Sequence, residues 1–135
     1  MLSKSVEYAL KSLIIINESD SSINIDDICN NLDIPKSFTA KLLMILTKKG
    51  YITSKKGPGG GFKRNDYERT IKDVIIDIDG DFKYDRCSLG LSKCSNETPC
   101  PMHDYFKPIK DKILTEFMIV TISELCNNPN KILKI

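Results

Sequence analysis

The chain has 135 residues, of which 41% are hydrophobic and 28% charged, and a net charge of +2, which is too small to indicate nucleic acid by itself. This length suits one domain with a modest core, and no apolar run is long enough for a signal peptide or a membrane span, so a cytoplasmic protein is predicted. In that compartment the five cysteines favour metal or redox chemistry over a disulfide framework.

Three amphipathic helices are predicted at the start of the chain. The first covers Ser3–Asn17 with Ser3 as its N-cap, and the second covers Ile25–Leu32 with Asn24 as its cap. The third covers Ser37–Lys49 and ends at Gly50. The side chains predicted to face the core are those of Val6, Ala9, Leu10, Leu13, Ile14, Ile25, Ile28, Leu32, Phe38, Leu42, Ile45 and Leu46.

A small β-hairpin is predicted after the third helix. A strand over 51–54 leads into the glycine-rich turn 55–61, and the chain returns as a strand over 62–64. Two helices joined by a turn and followed by a basic hairpin are typical of a winged helix-turn-helix. The fold class expected is therefore mainly α with a β-hairpin wing, the DNA-binding domain covering residues 1–80.

The second half of the chain is predicted to begin with a helix that has a capping box formed by Thr70 and Asp73 and ends at Gly80. An irregular cysteine-rich loop follows over 81–102. The region 103–135 is predicted to hold a long helix, Asp104–Val120, and a last short helix behind Thr121. The apolar side chains of the long helix exceed what the winged domain needs, so it is predicted to pair with a second subunit, although packing on the first helix is the alternative.

Charge is distributed unevenly along this order of elements. Between Lys36 and Arg64 there are eight basic residues and no acidic one, whereas from Asn65 onward ten basic residues stand against twelve acidic ones. A block of one sign inside a folded segment is typical of a phosphate-binding face, and a solvated surface without a ligand is the alternative. The eight basic residues are Lys36, Lys41, Lys48, Lys49, Lys55, Lys56, Lys63 and Arg64.

The residues predicted to contact DNA come from the start of the third helix and from the wing. A helix in the major groove reads bases with its first turns, and a wing lies along the backbone or enters the minor groove. A phosphate-binding P-loop is disfavoured, because no Lys-Ser/Thr and helix follow the glycines. The predicted DNA contacts are Lys36, Ser37, Thr39, Lys41, Lys55, Lys56, Gly57, Gly59 and Gly60.

A second candidate site lies in the cysteine-rich loop. Cys87, Cys94 and Cys100 are separated by six and five residues, and two residues separate the last cysteine from His103, the single histidine. Such donors within 17 residues suit a metal centre. The spacing differs from the paired knuckles of zinc fingers and from the tight run of bacterial ferredoxins. Cys29 and Cys126 lie on predicted helices and are expected to be core thiols.

The two candidate sites together resemble the Rrf2 family of bacterial transcription regulators, and the resemblance covers nearly the whole chain. Its marks are Ser5-Val-Glu-Tyr-Ala-Leu in the first helix, Ile34-Pro-Lys-Ser-Phe before the recognition helix, Lys48-Lys-Gly-Tyr-Ile, the wing Lys56-Gly-Pro-Gly-Gly-Gly-Phe, and the three-cysteine loop. The resemblance implies a homodimer that binds a palindromic promoter element of double-stranded DNA. It also implies an iron–sulfur cluster on each subunit that tunes this binding.

On this resemblance, Cys87, Cys94 and Cys100 would be cluster ligands. His103 corresponds to the fourth ligand of IscR-like members, and Glu7 corresponds to an acidic residue that reaches the cluster from the other subunit in NsrR-like members. The first cysteine interval is one residue longer than in IscR-like members, and [2Fe–2S] is favoured over [4Fe–4S]. Pro35, Ala40 and Lys56 also depart from the base-reading and wing residues of those members, so their operator sequence does not transfer.

The function predicted from the sequence is promoter binding modulated by the cluster. The alternative is a regulator of the same fold without a cluster, controlled by a partner protein or by thiol oxidation, with Cys94 and Cys100 as the disulfide pair. A redox enzyme or electron carrier is disfavoured, because the chain has no nucleotide, flavin or substrate motif and has a long basic stretch without acidic residues.

Overall fold

The computed structural model describes residues 1–66, 68–128 and 133. Over these residues the chain is mainly helical with one antiparallel hairpin, so the predicted fold class is confirmed. The elements are α1 Lys4–Glu18, α2 Ile25–Leu32, α3 Lys36–Lys48, β1 Ile52–Lys55, β2 Gly61–Arg64, α4 Ile71–Asp79, α5 His103–Lys112, a π-helical turn Ile113–Phe117, and α6 Ile122–Cys126.

Side-chain caps begin four of these helices where the sequence allows it. The Ser3 hydroxyl accepts a hydrogen bond from the Val6 N–H, and the Asn24 side chain accepts one from the Asp27 N–H. Thr70 and Thr121 each form a capping box at the start of α4 and α6. Each cap satisfies an N–H group that has no partner inside its helix, which fixes where the helix begins. All four predicted caps are confirmed.

The core is built around α1, which contacts α2, α3, α4, α6 and β2. Most of the predicted core side chains are buried, but the phase of two helices differs from the prediction. Ile16 and Leu43 are buried although they were not predicted to be, whereas Ile14 is half-buried and Phe38 is exposed with its ring edge on Tyr8. The innermost side chains are those of Val6, Ala9, Ile16, Ile28, Leu32, Leu43, Leu46, Ile52, Ile71, Val74, Ile75 and Met118.

The predicted continuous helix over Asp104–Val120 is wrong in its second half. The α-helix ends at Lys112 and widens into a π-helical turn, in which the Met118 N–H donates to the carbonyl of Ile113 at 2.9 Å. The chain then leaves the helix, because its next carbonyl groups accept hydrogen bonds from the start of α4. The N–H groups of Ile71 and Lys72, at the start of α4, donate to the carbonyls of Val120 and Met118 at 2.9 and 3.0 Å.

The apolar side chains of this segment divide into two groups. Ile113, Phe117 and Val120 pack against the core of the same chain. Tyr105 and Ile109, on α5, are 80% and 57% exposed, and Ile119, beyond the π-helical turn, is 58% exposed. The surplus of apolar surface therefore lies on α5 and at Ile119. In the predicted C-terminal region 103–135, residues 129–132, 134 and 135 lie outside the described residues.

Residues 81–101 form turns and bends without helix or strand, as predicted. This segment runs from Gly80, the left-handed C-cap of α4, to the start of α5. Across the described ranges, no helix combines the length and the apolar character that crossing a bilayer requires.

Candidate functional site

A three-residue turn sets the direction of α3 relative to α2. Asp33 adopts a left-handed conformation with φ of 50° and ends α2. The N–H of buried Ile34 donates to the Cys29 carbonyl at 3.2 Å, and Pro35 takes the N-cap position of α3. A short turn between two such helices forms a helix-turn-helix, with α3 as its second, recognition helix.

The outward face of α3 presents basic, small and apolar side chains. Ser37, Lys41 and Lys48 are exposed on it, together with Ala40 and Met44. The spacing of three or four residues between them places all five on one side of the helix. The predicted DNA contacts Ser37 and Lys41 therefore lie on a face that solvent, and hence a duplex, can reach.

Thr39 lies on the opposite side of α3. Its residue is fully buried, and its hydroxyl donates to the Pro35 carbonyl at 2.7 Å. Thr39 could donate this hydrogen bond to a base only if the start of α3 lost its packing against the core. The prediction that Thr39 contacts DNA is therefore wrong, because back-bonding to the carbonyl four residues earlier already uses its donor.

The wing is a regular hairpin fixed to the body of the domain. Thr53 pairs with Lys63 and Ser54 with Phe62, and a turn is closed by the Gly60 N–H donating to the Gly57 carbonyl at 2.9 Å. Phe62 also exchanges two backbone hydrogen bonds with Ile23, at 2.8 and 3.0 Å. An isolated β-bridge therefore fixes the α1–α2 loop to the returning strand of the wing.

Two glycines make this arrangement possible. A Cβ on Gly60 would lie 2.3 Å from the Lys55 carbonyl oxygen. A Cβ on Gly61 would lie 2.5 Å from the Ile23 carbonyl oxygen, and the φ of Gly61 is +135°. Any other residue at position 61 would therefore push the wing off the α1–α2 loop, and any other residue at position 60 would distort the turn of the hairpin. Gly57 and Gly59, also predicted at the DNA interface, lie exposed at the tip.

The basic block predicted between 36 and 64 is largely exposed, with two qualifications. Lys36 is exposed but pairs with Asp26 at 2.6 Å. Arg64 turns inward, where it hydrogen-bonds Asn17 and Ser123. Arg64 therefore joins β2 to α1 and α6 instead of serving a phosphate. The other basic side chains of the block, all exposed, are Lys41, Lys48, Lys49, Lys55, Lys56 and Lys63.

A polar network at the end of α3 anchors the recognition helix to α4. The Tyr51 hydroxyl donates to the Asp77 carboxylate at 2.8 Å, and the Arg69 guanidinium lies 4.8 Å from the centre of the Tyr51 ring. Burial, followed by the bond to Asp77, raises the pKa of Tyr51. Lys49 approaches the same carboxylate at 3.7 Å. The Asp77 carboxylate of α4 thus binds both Tyr51 and Lys49, which follow directly after α3.

Between α3 and the hairpin lies a groove of about 360 Å³. Ala40, Met44, Thr47 and Lys48 line it from α3, and Ser54 and Phe62 line it from the hairpin. The groove joins the outward face of α3 to the wing in one continuous surface.

The four predicted metal ligands stand as two pairs. The Sγ atoms of Cys87 and Cys100 are 3.6 Å apart, too far for a disulfide, and Cys94 Sγ lies 3.6 Å from His103 Nδ1. Over the residues described, no three histidine, cysteine or acidic side chains converge into a ready-made metal site. The sequence paired Cys94 with Cys100 for thiol oxidation, whereas the structure brings Cys100 to Cys87.

Both pairs are supported by their surroundings. His103 Nε2 lies 2.9 Å from the Asn96 side-chain oxygen, which orients the ring with Nδ1 towards Cys94. Cys87 is buried, and its pKa is lowered chiefly by a hydrogen bond from the backbone of Leu89. Lys110, a buried lysine on α5, donates to the Asp85 carbonyl at 3.1 Å and so joins the loop to the helix.

The remaining candidates lie elsewhere. Glu7, the alternative fourth ligand, is paired with Lys4 of its own helix at 3.0 Å, and this hydrogen bond lowers its pKa. Cys29 is buried, as expected of a core thiol. Cys126 is half-buried, and burial raises its pKa, which disfavours the reactive thiolate.

Comparison with known proteins supports the same assignment as the fold and the site. The family described as Rrf2, iron-dependent transcriptional regulator, matches residues 2–128. The chain belongs to the Rrf2 family. The class of protein is thus a DNA-binding transcription regulator, and the relatives of this Rrf2 protein are named as regulators and not as enzymes.

Two relatives and two solved structures illustrate the likeness. An HTH-type transcriptional regulator of Aquifex aeolicus (strain VF5) is 35% identical, covering 97% of this chain and 94% of that protein. IscR of Pectobacterium atrosepticum is 27% identical, covering 90% and 76%. CymR, the global cysteine regulator of B. subtilis, has the same fold with a TM-score of 0.74, 18% identity and coverage of 93% and 95%. T. potens IscR has a TM-score of 0.65, 15% identity and coverage of 93% and 85%.

Sequence reasoning missed three residues at the sites of this Rrf2 protein. Met44 has a signal in the sequence, because it lies one turn after Ala40 on the lysine-bearing side of α3. Asn96 and Lys110 have none that can be read in advance. Their partners, His103 and the Asp85 carbonyl, are set by the path of an irregular loop.

Proposed function

We propose that this Rrf2 protein is a cytoplasmic homodimer whose binding to a palindromic promoter element responds to an iron–sulfur cluster held on each subunit. The observation that carries the proposal is the meeting of three thiols and the single histidine as two pairs in the segment that leads into α5. The family description, iron-dependent transcriptional regulator, supports the choice of iron.

The residues present fit such a group by their chemistry. Thiolate sulfur and imidazole nitrogen are the donors that iron–sulfur clusters take from proteins. Two pairs of donors suit a [2Fe–2S] cluster, in which each iron takes two protein ligands. His103 is favoured over Glu7 as the fourth ligand, because its ring nitrogen already approaches Cys94 whereas Glu7 is paired with Lys4.

When bound, a cluster of this kind supplies a redox-active centre that oxidants and nitric oxide can alter. The chain's own residues do the rest. The four ligands hold the loop 81–102 in one conformation, and Lys110 ties that loop to α5 through the Asp85 carbonyl. A change in the order of the loop therefore reaches α5 directly, and regulation follows where the two states differ in DNA affinity.

Dimerisation of the region 103–135 is supported by the exposed apolar side chains of α5. Tyr105 and Ile109 lie one turn apart on one side of the helix, and Met102 at its N-cap is also exposed. Such a stripe, unused by the chain's own core, suits a second copy of the same helix. A twofold axis between the copies would repeat the recognition helix, and hence the half-site, as a palindrome.

The DNA contacts proposed are those of the exposed face of α3 and of the wing. Duplex DNA presents phosphate on either side of the major groove, and exposed lysines at both ends of this surface can neutralise it. Thr39 is left out because it is buried. The set is Lys36, Ser37, Lys41, Lys55, Lys56, Gly57, Gly59 and Gly60.

Anaerobic purification of the full chain tests the cluster. We expect brown protein with visible absorption, containing two irons and two sulfides per subunit if the cluster is [2Fe–2S]. Cys87→Ala should abolish the colour and change DNA affinity, whereas Cys126→Ala, which removes a thiol outside the loop, should do neither. Colourless, iron-free protein whose DNA binding is the same in the Cys87→Ala variant would overturn the proposal. Retention of the cluster by His103→Ala would point to Glu7 of the other subunit.

The DNA surface has a separate test. Affinity should fall with salt with a slope of about −0.9 per phosphate neutralised, and Lys56→Ala should reduce that slope by about one if the side chain contacts one phosphate. Lys83→Ala, which removes an exposed lysine outside the wing and α3, is the matched control. An unchanged slope in Lys56→Ala would remove Lys56 from the contact set.

A second candidate function, thiol-based control without a cluster, is favoured by one observation. The Cys87 and Cys100 sulfurs are near enough to form a disulfide after a small shift, with peroxide taking the two electrons and two protons released. Mass spectrometry of the iron-free protein before and after peroxide distinguishes the two functions. A Cys87–Cys100 disulfide that changes DNA affinity supports the second.

A further inference from the structure

The face of α3 proposed to meet DNA contains an apolar patch that the core does not use. Met44 lies in the middle of α3 with 59% of its surface exposed, and Ala40, one turn earlier, is exposed as well. The half-buried Phe62 of the wing continues the patch across the groove. Three apolar side chains brought together from two elements are more than the scattered exposure normal on a protein surface.

The charge around the patch indicates what covers it. Lys41 and Lys48 lie beside Met44 on α3, and Lys55 and Lys63 lie on the wing, all of them exposed. No acidic residue lies anywhere between 36 and 64. An apolar strip bordered on both sides by lysines complements the major groove of a duplex, where phosphates flank the edges of the bases.

Of the four bases, only thymine presents an apolar group in the major groove. Its C5 methyl is read by apolar side chains, whereas guanine, adenine and cytosine are read by hydrogen bonds from arginine, lysine, amides or carboxylates. The exposed face of α3 has no arginine, amide or carboxylate, and its hydrogen-bond donors are Ser37 and its lysines. The side chains at positions 40 and 44, an alanine and a methionine, offer apolar contact instead.

We propose that Ala40 and Met44 read thymine in each half-site by contact with its C5 methyl group. This inference rests on the proposed function, since it requires α3 to lie in the major groove. Ser37 and Lys41, on the same side of the helix, hydrogen-bond the neighbouring bases or phosphates. Met44 suits the task because its unbranched thioether can adapt to a methyl group whose position differs between neighbouring base steps.

The test begins with a selection from a random duplex library at moderate salt, using the full chain. Each thymine of the selected half-site is then replaced by deoxyuridine, which removes the C5 methyl and nothing else. Affinity of the unaltered protein should fall about fourfold for each methyl group that is buried in the complex. Deoxyuridine at thymines outside the half-site is the nucleic-acid control and should leave affinity unchanged.

Variants at position 44 assign the effect to the side chain. Met44→Ala should bind the thymine duplex more weakly and should distinguish it less from the deoxyuridine duplex, and the remaining distinction should belong to the thymine that Ala40 contacts. Met44→Leu keeps an apolar side chain of similar size and should retain the distinction. Because Met44 is exposed, both variants should unfold at the same temperature as the unaltered protein. Ile76→Ala, which truncates an exposed apolar side chain on α4, is the matched control.

The outcomes separate this inference from the function on which it rests. Sequence-specific binding that is equally tight for thymine and deoxyuridine overturns the thymine readout and leaves the DNA-binding surface standing. Discrimination that is undiminished in Met44→Ala also overturns the assignment to Met44. Failure to select any site, with no salt-dependent binding to duplex DNA, overturns both.

Discussion

Residues 4–80 and the loop 81–102 adjoin in the sequence, yet different interactions hold them in place. In the first, each helix contributes side chains to a shared core, and side chains cap α1, α2 and α4. In the loop Cys87 alone is buried, and the half-buried Phe82 and Tyr84 near its start pack against the core. Beyond Tyr84 the ties are polar: Arg86 with Asp81 at 2.9 Å, Lys110 with the Asp85 carbonyl, and His103 with Asn96.

The difference bears on what each region can do. A domain closed by its core keeps α3 and the wing in a constant relation, whatever happens at the thiols. The part of the loop beyond Tyr84, held by a few polar ties, can change its conformation at little cost when its cysteines gain or lose a ligand. On the proposed function, recognition and sensing therefore lie in parts of the chain that differ in rigidity.

The largest test of this comparison is the truncation of the same side chain in both regions. Leu43→Ala removes a fully buried leucine from α3 and should lower the free energy of unfolding by about 2–5 kcal/mol, because it leaves a cavity against α1. Leu89→Ala, at an exposed position of the loop, should change it by less than about 0.5 kcal/mol. Urea titration followed by circular dichroism measures both. Similar losses in the two variants would mean that the loop belongs to the cooperative core.

A second test uses the glycines of each region. Gly61→Ala should cost about 1–3 kcal/mol, because φ is +135° and the new Cβ would meet the Ile23 carbonyl. Salt-dependent DNA binding should weaken as the wing separates from the α1–α2 loop. Gly90→Ala in the cysteine loop is the control, since φ is also positive there but no atom lies within 4 Å. Equal effects of the two substitutions on DNA binding would contradict a distinct role for the wing contact.

A third test addresses the tie between the loop and α5. Lys110→Met keeps the apolar stem of the side chain but removes the hydrogen bond to the Asp85 carbonyl, with an expected loss of about 1 kcal/mol. Amide hydrogen exchange and limited proteolysis should quicken in the loop and stay unchanged in α1–α4. Lys112→Met, which alters an exposed lysine on the same helix, is the control. Quickening spread over the whole chain would show that Lys110 supports the core instead.

The smallest effect expected is a pH dependence of the stability of the core domain. Hydrogen bonds from Ser123, through its side chain and then its backbone, lower the pKa of Glu68 below its ordinary value of 4.5. The unfolded chain therefore takes up this proton at a higher pH than the folded one, and the stabilisation is present above about pH 4.5 and lost as the pH falls below it. Thermal unfolding from pH 7 to pH 3 should show a shallower decline in Glu68→Gln. An unchanged decline would assign the acid sensitivity to other carboxylates.

The sequence predicts the winged domain well because its signals are local. Ser3, Asn24, Thr70 and Thr121 each cap a helix through atoms within three residues, so their role can be read without knowing the fold. The glycine-rich turn of the wing can also be recognised directly from the sequence. The helix phases are less so: Thr39 and Leu43 are buried because α3 turns a slightly different side towards α1 than its apolar pattern indicates.

What the sequence does not predict depends on distant partners. Arg64 resembles another member of the basic block until Asn17 and Ser123, from opposite ends of the chain, receive its side chain. The end of the π-helical turn is set likewise by the N–H groups of Ile71 and Lys72, which donate to the carbonyls of Val120 and Met118. The pairing of Cys87 with Cys100 depends on turns whose residues have no strong preference, so spacing alone could not select it.

The π-helical turn at Ile113–Phe117 fixes the rotational phase between the two ends of its segment. Each residue of an α-helix advances the side chains by about 100°, so the extra residue in this turn rotates everything before it by that amount relative to Met118 in the core. Straightening this turn into an ordinary α-helix with all its residues kept would rotate Tyr105 and the entire thiol segment by about 100° around the helix axis, whereas deleting one residue as the helix straightens would leave their phase unchanged. The orientation of the thiol segment relative to the core therefore depends on the π-helical turn itself, a constraint that no single side chain in that stretch carries.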